Sequence, residues 1–299
     1  MLKALIIGIS LLLLTACTAL RLGYNNGPTL AWWWLDGYGD FSRQQTPAVR
    51  AALERLFAWH RSTQLPEVAA LLTSAQRSVL GPITAEAACA WQDRAQALLG
   101  PLWERGIQEA ADLLPLLGPA QFDHIARRQL KARDEWRDDF LQPDAAERLQ
   151  ASIERTLQRA ERLYGRLGAA QRAVLEQGVK DAPFDVQAWL RERARRQDDL
   201  LQVLRRLQAE RADRDTRVAG LRALAARSES PPSPAYRAYQ AQMRSYNCAL
   251  AARLHNATTA AQRRRAQERL QGWEDDVRAL MAGPSGDGAP QPELAPLSL

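Results

Sequence analysis

The chain has 299 residues, 40 of them basic and 34 acidic, for a formal net charge of +6. That length suffices for one large core or for two small domains. Only Lys3, Lys131 and Lys180 are lysines, so the basic excess is arginine bias rather than a phosphate-reading surface, and together with the export signal below it argues against a nucleic-acid partner.

The first element is "MLKALIIGISLLLLTAC". Lys3 supplies a positive start, and the apolar run Ala4 to Leu14 is too short for a resident transmembrane helix, so it reads as a signal-peptide core. It ends in Leu14-Thr15-Ala16-Cys17, an apolar residue and two small ones before a cysteine, as in a bacterial lipobox. Residues 1–16 are therefore expected to be removed and Cys17 to accept diacylglycerol. Thr18 rather than Asp follows, and resemblance to sorted lipoproteins then implies the outer membrane, facing the periplasm. Without its leader the chain keeps 39 basic and 34 acidic residues, a net charge of +5. Residues 17–27 read as a lipidated N-terminal linker.

The helical part is expected over 28–282 as a single domain. It opens on "TLAWWWLDGYGDF". In a helix Trp32, Trp33 and Trp34 point about 100° apart, so one face cannot hold all three. Two readings stay open: a core helix enclosed by others, or an aromatic belt at the membrane interface. Strand-type alternation is absent downstream, and Ala, Leu, Arg, Gln and Glu dominate, which predicts an all-α, multi-helix bundle with long helices. Pro47 stands at a helix start, with Val49, Ala52, Leu53 and Leu56 on one stripe. Pro101 should kink or split the helix begun near Thr84. A run from Gln187 to Arg227 would reach roughly 60 Å if unbroken, but 208–217 carries almost no apolar stripe and either projects into solvent or breaks. "SESPPSP" at 228–234 reads as a turn or linker, and the stretch from Ala235 to Met281 as a helical hairpin. The Gly/Pro-rich tail 283–299 is expected to be disordered.

Cys17 aside, Cys89 and Cys248 form an even pair in an oxidising compartment and are expected to make a disulfide, two separate buried thiols being the alternative. The catalytic inventory is thin. Of the three histidines, His60, His124 and His255, only His60 sits in a suggestive cluster, Trp59-His60-Arg61. Its stripe with Leu53 and Leu56 favours a hydrogen-bonded core histidine. No His-x-x-x-His or Cys-x-x-Cys spacing supports a metal, no cofactor is implied, and catalytic residues are not assignable. The adjacent acids Asp138-Asp139, Asp198-Asp199 and Asp275-Asp276 read as solvated charge, since helix neighbours do not face each other.

A small residue, two spacers and Gln recur at Thr73/Gln76, Gly118/Gln121, Gly168/Gln171 and Thr259/Gln262. The spacing is that of a capping box, in which the Gln side chain reaches back to the cap residue. All four glutamines are therefore expected at helix starts. "L-T-x-x-Q" also resembles the repeat of Spy- and CpxP-type periplasmic chaperones, which implies a client-binding helical surface. More broadly, "RLGYNN", "WWWLDGYGDF", "WHRSTQLP" and "SYNCALAARLHNATTAAQR", in that order, resemble a family of uncharacterised proteobacterial helical lipoproteins. That resemblance implies a lipid anchor and a helical fold and assigns no activity. The expected function is a membrane-anchored, non-catalytic binding or scaffold protein for envelope proteins or unfolded clients. The alternative is an enzyme or accessory factor acting on envelope polymers through a cleft containing His60.

Overall fold

The computed structural model describes residues 20–141 and 144–283. The expected signal peptide, Cys17 and the tail beyond Gly283 lie outside them. Among the described residues the structure is all-helical. The helices are α1 (Gly27–Gly39), α2 (Thr46–Trp59), α3 (Leu65–Ser78), α4 (Ala85–Ala97), α5 (Leu99–Leu113), α6 (Pro119–Phe140), α7 (Ala145–Tyr164), α8 (Ala169–Lys180), α9 (Val186–Ala209), α10 (Arg214–Glu229), α11 (Pro234–Ala257) and α12 (Ala260–Met281). None is long and apolar enough to cross a membrane.

Local chemistry sets the boundaries. One turn of π-helix, His60–Gln64, joins α2 to α3 without a break. Pro66 lacks an N–H and its ring crowds the carbonyl four residues earlier, so the helix widens there instead of ending. Pro101 acts likewise on the next rod, which splits at Leu98. The long run from Gln187 breaks: α9 ends at Ala209, Arg211 turns with φ 46°, and Asp213 caps α10 by accepting from the Thr216 N–H. Asp144 and Asp185 cap α7 and α9 in the same way.

These breaks produce a regular path. The chain alternates, two helices at a time, between two halves of the bundle. One half holds α1, α2, α5, α6, α9 and α10, and the other holds α3, α4, α7, α8, α11 and α12. The first half is cored by Ala111, Leu114, Phe122, Leu201, Leu207 and Leu221, continued by Trp32, Val49 and Leu53. The second is cored by Tyr164, Leu167, Leu175, Leu254 and Ala266, with Leu65, Ala69, Val277 and Leu280 beside it. α11 and α12 meet at Thr258 and Thr259 but do not form the expected packed hairpin. α11 lies on α4 and α8, whereas α12 lies on α3 and α7.

Cys89 on α4 and Cys248 on α11 are disulfide-bonded, 159 residues apart, with Cα atoms 5.3 Å apart. α4 contains no fully buried residue, only half-buried ones such as Ala87, Ala88 and Trp91, so this covalent tie adds to a shallower burial than that of the other helices. Residues 20–27, expected as part of a linker, are helical up to Asn25 and packed on the bundle. Backbone bonds continue from there into α1 through Asn26. A Cβ at Gly27 would stand 2.2 Å from the Phe57 ring, so only glycine lets this segment lie so close to α2.

Candidate functional site: the His60 turn and the glutamine fasteners

The π-turn places the Trp59-His60-Arg61 cluster where three parts of the chain cross: the segment 20–26, the α2–α3 rod and the end of α12. The Tyr24 hydroxyl and His60 Nδ1 are 2.8 Å apart. Arg61 donates to the Leu280 carbonyl (2.6 Å) and to Asn25 Oδ1 (2.8 Å), and its guanidinium lies over the Tyr24 ring. Arg21 Nε donates to Asp276 Oδ1 at 2.8 Å. Burial holds the His60 pKa below its usual value. Burial likewise raises Tyr24, partly offset by the Arg61 charge. Both groups are therefore neutral at pH 7, with the hydroxyl positioned to donate to the ring nitrogen. The arrangement clamps the N-terminal segment to the bundle. The open grooves between α9 and α10 and between α8 and α11 do not include His60.

The other two histidines also serve as links between segments. His124 Nε2 is 3.2 Å from the Gly37 carbonyl. His255 is buried, with the Tyr164 hydroxyl at Nδ1 (2.9 Å) and the Gly81 carbonyl at Nε2 (2.7 Å). Burial lowers its pKa and pushes Tyr164 up to about 12. No group of three or more His, Cys, Asp or Glu side chains among the described residues is arranged to hold a metal ion.

The recurrent glutamines divide. Gln121, Gln171 and Gln262 stand at the starts of α6, α8 and α12, each accepting from the N–H of its cap residue, Gly118, Gly168 or Thr259, at 2.8–2.9 Å. Gln76 does not stand at a helix start. It lies late in α3, because nothing between Leu65 and Ser78 interrupts that helix. Its buried amide donates instead to Glu274 Oε2 on α12 at 2.5 Å. Glu274 also accepts from Arg278. Desolvation opposes its charge, but bonds from Thr73, Arg278 and Gln76 win and hold its pKa below the usual value.

A fourth helix-start glutamine, Gln45, follows Ser42 at capping-box spacing. Gln45 and Gln121 bond each other side chain to side chain, at 2.9 and 3.2 Å. Each also reaches a backbone carbonyl just before the other's cap: Gln45 to Leu116, and Gln121 to Gly39 at 2.7 Å. At the opposite end of the bundle Gln171 and Gln262 repeat the arrangement. They bond each other at 2.6 and 2.9 Å and reach Ala257 and Arg166, each at 3.0 Å. A third turn is laced to each pair: Gln208 bonds the Leu117 carbonyl at one end, and Asn256 bonds both backbone groups of Ile83 at the other. The "LGPAQ", "LGAAQ" and "TTAAQ" motifs are thus fasteners between turns, and the Ser42-x-x-Gln45 spacing was the signal that could have revealed the fourth.

Two of the acid pairs are not merely solvated. Asp276 is buried beneath Arg21, and Asp199 binds Arg227 and Arg195. Arginines supply most of the ties between helices, including Arg55–Glu109, Arg133–Asp198, Arg214–Asp112 and Arg244–Asp93. A planar guanidinium suits such pairing better than an ammonium does.

These features define a disulfide-stapled, all-helical bundle whose polar residues at segment crossings and turns are used to hold its own chain together. The family of unknown function DUF6279 matches residues 37–237, and the chain belongs to that family. No curated protein and no solved structure matches it.

Proposed function

We propose that the protein is a lipoprotein, anchored through Cys17 in the outer membrane and facing the periplasm, that binds or scaffolds other envelope proteins without turnover. The lipobox Leu14-Thr15-Ala16-Cys17 followed by Thr18 supports the address. The Cys89–Cys248 disulfide supports an oxidising compartment. The observation that carries the non-catalytic part is the engagement of His60: its Nδ1 meets the Tyr24 hydroxyl, where an acid–base site would place a carboxylate. The proteobacterial lipoprotein resemblance supports the same reading. The chaperone-like version rests on the resemblance to Spy and CpxP, and its glutamines are occupied in turn-to-turn bonds rather than presented to clients.

Three measurements test this reading. Labelling with a palmitate analogue should modify the wild type and not Cys17→Ala; equal labelling would remove the anchor. Crosslinking in intact cells should capture envelope proteins, and their absence would remove the scaffold. An aggregation assay with unfolded clients at two salt concentrations separates the chaperone version, because a charge-driven effect is screened over about 10 Å at 0.1 M.

A further inference from the structure

The three tryptophans do not share one environment. Trp32 is 6% exposed and packs with Phe41, Val49 and Leu53, whereas Trp33 is 40% and Trp34 65% exposed. Leu30 and Leu22 are also exposed, 46% and 62%. Because the backbone bonds Asn26 to Leu22 and Leu30 to Asn26, residues 20–39 follow one helical path. At 100° per residue, Leu22, Leu30, Trp33 and Trp34 lie within an arc of about 120°. The same arc holds Gly23, Asn26 and Gly37 and no charged residue. The charged groups point elsewhere, Arg21 to Asp276, and the other side of the helix is held by Tyr24, Gly27 and Trp32 against α2 and the His60 turn.

We propose that this outer face rests in the interfacial layer of a lipid bilayer, so that the first helix lies flat on the membrane instead of hanging below it on a tether. The inference rests on the reading of Cys17 as the lipidated residue. Only Thr18 and Ala19 separate Cys17 from Leu20, where the described helix starts, three residue steps and a reach of roughly 10 Å at most. An acyl group there therefore brings Leu22 to the headgroups. Tryptophan, with an apolar body and one N–H, suits that layer. A second copy of the chain suits the face less well. Four side chains at these exposures offer roughly 400–500 Å², about half of what each partner contributes to a standard stable interface.

The test uses purified lipidated protein in vesicles of phosphatidylethanolamine and phosphatidylglycerol with brominated acyl chains, compared with Trp33→Phe/Trp34→Phe. Two of nine tryptophans are involved, so quenching of about one fifth of the emission is expected in the wild type and almost none in the double variant. Lipidated wild type without quenching would overturn the proposal and leave the anchor standing, as would equal quenching in the double variant. Mass spectrometry of Cys17 reports the anchor separately. The chain begun at residue 17 with Cys17→Ala tests the face without the lipid. Its emission should shift to the blue on titration with unbrominated vesicles of the same headgroups, and this shift should disappear in Trp33→Asp/Trp34→Asp. No shift, or a shift that persists, would overturn the proposal, and so would a dimer in sedimentation that the Asp variant dissolves.

Discussion

Replacing both bridged cysteines by alanine, Cys89→Ala/Cys248→Ala, isolates what the covalent tie contributes. The bond spans 159 residues, and in the chain-entropy account closing so long a loop is worth about 5 kcal/mol at 25 °C. For a chain of this size that corresponds to a melting temperature lower by roughly 8–10 °C. The loss should not be uniform. α4 contains no fully buried residue, and its polar ties to α11 are the exposed Arg244–Asp93 pair and a bond from Arg244 to the Cys89 carbonyl, an exposed pair of this kind being worth less than about 1 kcal/mol. α12 buries Ala266, Leu270, Val277 and Leu280. In the variant, amides of α4 should therefore exchange faster while those of α12 keep most of their protection. Urea unfolding measures the first effect, and hydrogen exchange read by mass spectrometry measures the second. An unchanged midpoint, or exchange that rises equally in α4 and α12, would refute the reasoning that this bond compensates for the shallow burial of α4.

Three further outcomes follow from the packing. Gln45→Ala and Gln121→Ala should each destabilise by about 0.5–1.5 kcal/mol, the smaller loss at Gln45, whose backbone partners are exposed to water, and the larger at Gln121, whose partners are half-buried. A double-mutant cycle should show coupling of about 1 kcal/mol, and strict additivity would show that the two glutamines do not act as a unit. Gly178→Ala should destabilise by about 1–3 kcal/mol, since the added Cβ would meet Leu250 Cδ1 at 2.3 Å; helix propensity alone predicts a gain of about 1 kcal/mol, so the sign of the change in a melting curve decides. His60 has a folded pKa depressed below 6.5 by burial, so its contribution is complete above pH 6.5 and is lost as pH falls through the folded value. Residues 20–26 should then exchange faster at pH 5 than at pH 7.5, after correction for intrinsic rates, and His60→Gln should abolish the difference; opening that persists in the variant would assign it to another group.

Much of the architecture was legible because helix boundaries are local. Pro101 and the apolar gap after Gln208 mark real breaks, and the even cysteine pair marks a real bridge. Gln121, Gln171 and Gln262 mark helix starts because a glycine or threonine precedes each at cap spacing. Gln76 has the same local pattern, yet α3 runs through it, since a capping box forms only where the helix actually begins. What the sequence does not carry is which face of each helix meets which neighbour. Asp276 looks as solvated as Asp275 until Arg21, 255 residues away, is found against it. Tyr24 and His60 are each unremarkable until segment 20–26 is laid across the π-turn, and the pairing of glutamines depends on turns brought together from distant parts of the chain.

The path between the two halves has a kinetic consequence. The end fastened by Gln45 and Gln121 draws its turns from residues 39–45, 114–121 and 208–217, so its full set exists once the chain has been made as far as Arg217. The other end needs residues 79–84, 165–171 and 255–263, and its last turn arrives only with Arg263. A chain emerging from its N-terminus therefore acquires order with a direction: one end closes while the other still waits, and until α12 docks, the apolar sides of α3 and α7 stand open. The window of exposure during assembly falls on that half, and shortening the chain anywhere before Arg263 would make it permanent.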